Sequence, residues 1–404
     1  MPSIPLQPST FPVDISSIPG NPSTILVDAS SRPVHTCSIP VNTSTVPGDA
    51  FSIAGDAFSI PGDAFSIPGD AFSIPGDAFS IPGDAPSIPD KPGGVTAVAA
   101  SIPVIPNIPI DAQWSQNEET IAGGNGPGHQ TNQLWRPKGL FVDDDQTIII
   151  ADGMNDRIVQ WKKGETNGEV VAGPKGQGNQ LDDPTDVLID KETDSLIICD
   201  RGNRRVVRWP RCSDTTPGEI LIDNIDCYGL FIDDQRYIYV SDYKKHEVRR
   251  YQIGHKNGII VAGRHGKGAR LNRLNYPTYI FVDQRQTVYV SDKENHRVMK
   301  WNKGAKEGIV VAGGQGEGKD ETRLSSPQGL FVDTLGTIYV ADAGNHRVMR
   351  WPKGAKLGTV IVDGNGEGAR ANKFSAPEGL SFDRQGNLYV ADCDNYRVQF
   401  FSIQ

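Results

Sequence analysis

Histidine is the residue type whose placement in this chain most suggests chemistry. His246, His296 and His346 each stand four residues after an Asp that closes a β-branched run, Asp242, Asp292 and Asp342. Three imidazoles repeated at one offset invite a reading as zinc ligands. Zinc, however, holds its nitrogens at about 2.0 to 2.1 Å from one ion, and equivalent positions of successive repeats are hard to bring so close. The other copies of the same motif carry Asp156, Arg204 and Tyr396 at that place. The expectation is a variable loop residue, with no metal bound.

Two further patterns raise the same question. The glycine-rich segments GGNGPG at 123–128, GPKGQG at 173–178, GRHGKG at 263–268, GGQGEG at 313–318 and GNGEG at 364–368 look like phosphate cradles. None is a G-x-G-x-x-G opening a helix or a G-x-x-x-x-G-K-[ST], and each runs into a polar loop, so turn geometry is the expectation. Asp152 with Arg157, Asp292 with Arg297, Asp342 with Arg347 and Asp392 with Arg397 share one spacing. An Asp that bonds its own loop amides beside an Arg reads as a structural pair.

The elements that must position these residues repeat six times. Aligned on Asp152, Asp200, Asp242, Asp292, Asp342 and Asp392, each copy opens with an apolar run ending in Asp, such as GLFVD at 139–143 and 329–333. A β-branched run such as IYVAD follows, then a polar loop, then a third run ending in Trp161, Trp209, Tyr251, Trp301, Trp351 or Phe401. Five copies add a fourth run, such as IVVAG at 309–313. Short runs rich in Val, Ile and Tyr and bounded by Gly, Asp and Pro predict strands. Four strands at a period of 42 to 50 residues predict a propeller blade. The sixth copy stops after its third run, at FFSIQ, while an orphan fourth run, ETIAGG at 119–124, precedes the first copy. The orphan is expected to complete the sixth blade, closing a ring with only short edges. The fold class is therefore all-β: a six-bladed β-propeller of four-stranded blades at 113–404, closed by an N-terminal strand.

Residues 1–112 read differently. They hold repeated S-I-P elements and the heptapeptide GDAFSIP, recurring between Gly48 and Ile88. Pro61, Pro68, Pro75 and Pro82 forbid a coiled coil at that period. One Phe and one Ile per heptad offset too little ordering entropy, which predicts a disordered low-complexity tail ending in an extended linker. The chain's 40 Lys and Arg face 49 Asp and Glu, and residues 1–112 hold two and ten of these, leaving a near-neutral propeller of 38 against 39. No global field drives it toward nucleic acid. The N-terminus has neither a basic start nor an apolar core of a secretory signal, and prolines break the charge-free run 93–110, so no membrane span is expected. Cys37, Cys199, Cys212, Cys227 and Cys393 contain no C-x-x-C. No disulfide framework or zinc cluster is expected, which leans to a reducing, cytoplasmic setting.

The recurring A-D-x-x-N-x-R-V plus aromatic, as ADGMNDRIVQW at 151–161, SDKENHRVMKW at 291–301, ADAGNHRVMRW at 341–351 and ADCDNYRVQFF at 391–401, resembles the NHL repeat, as does P-x-G-L-F-V-D at 137–143 and 327–333. The resemblance covers roughly residues 116–404 and implies a six-bladed propeller. Members of that family serve as protein-binding platforms, as RNA readers in TRIM-NHL proteins and as the catalytic core of peptidyl-hydroxyglycine lyase. No RING, B-box, kinase or hydroxylase segment accompanies the repeats, so ubiquitin-ligase activity is not expected. The axial positions Lys138, Thr185, Tyr228, Thr278, Gln328 and Glu378 do not supply the carboxylates and amides of a calcium-dependent lactonase.

With first strands lining the axis, the interblade loops and the loops joining second to third strands share one face. On it blades two to four place Arg201, Arg204, Lys244, Lys245, His246, Arg264, His265, Lys267, Arg270, Arg273, Lys293 and His296, beside Tyr228 and Tyr243, with His346 on blade five. A basic sector interleaved with aromatics suits an acidic peptide or single-stranded RNA. The expected function is a non-catalytic, cofactor-free, monomeric scaffold that binds a protein or peptide on this glycine-rich face. An RNA-binding propeller is the alternative, and a metal-dependent lyase the third.

Overall fold

The computed structural model describes residues 105–116, 119–173, 180–211, 218–363 and 373–404. The heptapeptide tail, Cys37, Cys212 and the glycine-rich stretches 174–178 and 364–368 lie outside these residues.

Six antiparallel sheets of four strands each follow one another along the chain. In blade five the strands are Pro327–Val332, Ile338–Asp342, Arg347–Trp351 and Thr359–Asp363. They form because Val, Ile, Tyr and Phe fill a pleated surface covered on both sides by neighbouring blades. Every residue of IYVAD at 338–342 is buried. The sixth sheet takes Pro377–Phe382, Leu388–Asp392 and Arg397–Phe401 from the end of the chain and Glu119–Gly123 from before the first copy. Glu119 pairs with Phe400 and Gly123 with Arg397. The expected closure therefore holds.

The core is not one mass but a series of layers between blades. Phe281, Tyr289 and Val298 of blade four, for instance, pack on Leu330, Val332, Ile338 and Val340 of blade five, against Trp351. Trp351 closes the third strand at 1 % exposure; such a ring buries about 150–250 Å², roughly 4–6 kcal/mol of apolar transfer. The residue opening the approach to the fourth strand must then be Gly, since a Cβ on Gly358 would stand 2.4 Å from the Trp351 ring.

Each first strand enters its sheet through a register shift, as between Pro327 and Leu330. The bulge re-aims the following side chain, so that Lys138, Thr185, Tyr228, Thr278, Gln328 and Glu378 are all buried at the axis.

Two expectations require correction. Residues 105–112 were assigned to the tail, yet Ile108 is fully buried with Trp114, Tyr339 and Phe382, and Trp114 Nε1 donates to Gly386 O at 2.9 Å. A proline-rich segment needs no ladder to be ordered when one Ile side chain, here Ile108, finds an apolar seam between blades. The expected absence of disulfides also fails: Cys199 and Cys227 are bonded, with Cα atoms 5.9 Å apart. Cys199 precedes the aligned Asp of blade two and Cys227 replaces the first-strand proline of blade three, so the bond clasps two blades. It removes the ground for a reducing setting. Among the described residues, no helix is long and apolar enough to cross a membrane.

Candidate binding face

The Asp, Asn and Arg of each second-to-third-strand loop are consumed by the fold. Asp292, fully buried, accepts Arg297 Nε at 2.7 Å, Asn295 Nδ2 at 2.8 Å and the Asn275 amide at 2.6 Å. Arg297 then donates to the carbonyls of Ala269, Arg270 and Arg273 in the preceding glycine-rich segment. Blade five repeats this with Asp342 and Arg347, and blade two with Asp200 and Arg205. Burial pushes the carboxyls of Asp152, Asp292, Asp342 and Asp392 upward, while the arginine and amide bonds pull them back. The structural expectation for these pairs is met, and the pair also fastens the interblade loop.

The histidines have a similar task. Nδ1 of His246, His296 and His346 accepts the amides of Tyr276, Ser326 and Ala376 at 3.0, 3.2 and 3.2 Å. Asp156 Oδ1 does the same for Asp183 in blade one. Those four amides belong to residues held at positive φ, 48° to 59°, just before a first-strand proline. The side chain four after the aligned Asp thus steadies a backbone conformation that pre-proline residues disfavour. Burial lowers the His246 pKa, in keeping with a neutral acceptor ring. Each imidazole serves a different blade junction. Among the described residues no group of three His, Cys, Asp or Glu could hold a metal ion.

At the axis the face is plugged. Tyr228 of blade three donates to Glu378 Oε2 of blade six at 3.1 Å, directly across the ring. Tyr279 OH donates to Thr185 O at 3.4 Å. Burial raises the Glu378 carboxyl, countered by Lys138, the Tyr228 hydroxyl and Lys293. Above the plug, Tyr243 and Tyr276 lie with ring centroids 4.8 Å apart and within 6.3 Å of Tyr228. Arg201 covers Tyr228, Lys244 covers Tyr243 and Lys293 covers Tyr276, at 5.7, 5.7 and 5.2 Å.

The basic sector is more compensated than its sequence suggests. Arg201 pairs with Asp183, Arg204 with Asp226 at 3.1 Å, Lys244 with Asp226 at 2.9 Å and Lys245 with Asp242 at 3.3 Å. Arg264, Lys267, Arg270 and Arg273 make no ion pair among the described residues, and with His265 they form the uncompensated part, an interblade loop beside Tyr276. His346 stands apart, at the junction of blades five and six. Blade three departs from the pattern: Glu247, in place of Arg, pairs with Arg249 at 2.6 Å.

The other face holds what residue-type reasoning passed over. Fifth positions of the first strands, Phe141, Leu188, Phe231, Phe281, Phe331 and Ser381, line a channel of about 400 Å³ that opens among the first-to-second-strand turns. Their fixed place in G-L-F-V-D was the available signal.

Residues 324–350 and 374–401 match the family model for the NHL repeat. No curated protein matches the chain. Among solved structures, it is similar to a structural-genomics protein of unknown function from Bacteroides thetaiotaomicron, at 14% identity over 72% of this chain and 77% of that one, TM-score 0.55. Similar too are auxiliary nutrient binding proteins from Bacteroides thetaiotaomicron (15% identity, 71% and 76% covered, TM-score 0.54) and Bacteroides ovatus (14%, 75% and 76%, TM-score 0.51). At such identities the likeness is one of fold.

Proposed function

We propose that this chain, a six-bladed propeller of NHL repeats, is a non-catalytic platform that binds an acidic peptide segment of a partner protein on its glycine-rich face. The observation that carries the reading is the tyrosine cluster Tyr228, Tyr243 and Tyr276 with a cation over each ring, bordered by the uncompensated loop Arg264 to Arg273. Rings and cations fixed on a rigid frame lose little entropy on binding, the usual character of interface anchors. Carboxylates of a partner complement the loop, and its apolar side chains complement the half-exposed rings of Tyr243 and Tyr276, which rest on the buried Tyr228. Single-stranded RNA is the second reading, favoured by the Tyr243 and Tyr276 faces as stacking surfaces.

The test uses the full chain, a fluorescent Glu-rich peptide containing Phe, and a single-stranded RNA of equal charge, read by anisotropy at two salt concentrations. The peptide is expected to bind the more tightly. The triple variant Arg264→Glu, Lys267→Glu and Arg270→Glu is expected to lose binding at unchanged melting temperature. Unchanged affinity in that variant refutes the face, and tighter binding of RNA selects the second reading.

A further inference from the structure

The channel on the opposite face is built unlike a leftover void. Phe231, Phe281 and Phe331 stand edge to face around it, with centroids 5.0 and 5.3 Å apart. Blade six breaks the circle with Ser381, opening room on that side. The end toward the glycine-rich face is blind, because Tyr228 and Tyr279 cross the axis there. Four blades carry Gly at the innermost first-strand position (Gly139, Gly229, Gly329, Gly379), whereas blade two carries Asp186 and blade four Tyr279. Asp186 therefore forms part of the floor.

Carboxyl groups stand at both ends of this space, Asp186 at the floor and several Asp at the mouth. Asp186 is buried, and its oxygens accept only the amides of Leu230 at 2.8 Å and Val187 at 3.0 Å. No cation meets it among the described residues. At the mouth, Lys191 and Arg384 are committed to Asp143 and Asp144. Asp233, Asp234, Asp283 and Asp383 border the opening without an ion pair among the described residues. An apolar, aromatic-walled space of drug-like volume with a few fixed polar groups is the ordinary form of a small-molecule site. Phenyl faces attract cations, and a carboxylate hydrogen-bonds an ammonium more strongly than a neutral donor.

We propose that the central channel binds a small organic cation, a primary ammonium on an aromatic or aliphatic body, with the ammonium at Asp186 and the body against the phenylalanine walls. The site is separate from the glycine-rich face, so either assignment can fail without the other. An anion is disfavoured by both ends, and a neutral body of the same shape gains the walls alone.

The probes are three naphthalenes of similar shape, 2-naphthylmethylamine, 2-naphthalenemethanol and 2-naphthoate, titrated calorimetrically into the full chain at pH 8, above the value of about 7 to which burial lifts the Asp186 carboxyl. One amine is expected to bind per chain, about ten-fold or more tighter than the alcohol, with no measurable binding of the carboxylate. Ser381→Phe places a ring where four other blades already carry one, so it is expected to keep the melting temperature and abolish amine binding. Asp186→Gly, which restores the residue of four other blades, is expected to erase the preference of amine over alcohol. Equal binding of amine and alcohol to the parent chain, amine affinity unchanged by Ser381→Phe, or no amine binding at millimolar concentration overturns the proposal.

Discussion

Asp186 offers the sharpest test of how the axis is built. It is buried beside Tyr279 and receives two backbone amides but no cation, so burial dominates and its carboxyl is pushed from 3.8 up to about 7. Between those values the folded chain holds a proton that the unfolded chain has released. Stability from this group is therefore complete below about pH 4 and lost as pH rises through 7. The move from 3.8 to about 7 corresponds to about 4 kcal/mol in all, of which about 3 kcal/mol falls between pH 5 and 8. Unfolding entropy near 2.1 cal/mol/K per residue makes that about 5 °C in melting temperature for a propeller of this size. The assay is thermal unfolding of the parent chain and of Asp186→Gly from pH 5 to 8, taking the difference at each pH so that all other titrations cancel. Loss of the two amide bonds offsets the variant by a constant and leaves the slope untouched. The parent is expected to weaken relative to the variant as pH rises. Parallel curves would refute the claim that this carboxyl is desolvated.

Three further perturbations probe the frame. Arg347→Met strands the buried Asp342 carboxylate and three loop carbonyls, and is expected to cost about 3–5 kcal/mol in denaturant unfolding; a loss under 1 kcal/mol would show the pair to be dispensable. Trp114→Ala removes a ring packed on Tyr339 and Phe382, and should cost about 3–5 kcal/mol, read as a matching fall in the denaturant midpoint. Reduction of Cys199–Cys227 opens a cross-link of separation 28, worth about 3–4 kcal/mol of chain entropy; calorimetry with and without reductant checks it, and identical melting would place the thiols unbonded in solution.

Most of the architecture was legible because it is periodic. A residue type repeated at one offset in six copies announces a strand, a turn or a fastening pair, and the surplus run at 119–124 announces its own vacancy in the last sheet. What escaped notice depends on register between blades. The residue before each aligned Asp abuts the next blade's first strand, as Ser241 Oγ does at Thr278 O and Ser291 Oγ at Gln328 O. By that rule Cys199 abuts the start of the next blade's first strand, at Cys227 and Tyr228, and the pairing becomes visible only once blades are stacked. The partial neutralisation of the basic sector is hidden for the same reason, since Asp183 and Asp226, which pair with Arg201 and Arg204, come from neighbouring loops. Ile108 was misplaced because proline-rich sequence hides the one side chain that anchors it. The service of the histidines as acceptors for strained amides rests on a three-dimensional neighbour no spacing discloses.

Closure by the strand Glu119–Gly123 has a bearing on synthesis. Its partner Arg397–Phe401 lies about 280 residues downstream, so at 5–20 residues per second the early strand waits roughly 15 to 55 s before its mate leaves the ribosome. Throughout that interval the nascent chain carries an unmated strand at one end and a lengthening stack of finished blades behind it. Translation speed and chaperone occupancy of the first emerging strand thereby become determinants of yield, independent of how stable the finished ring is.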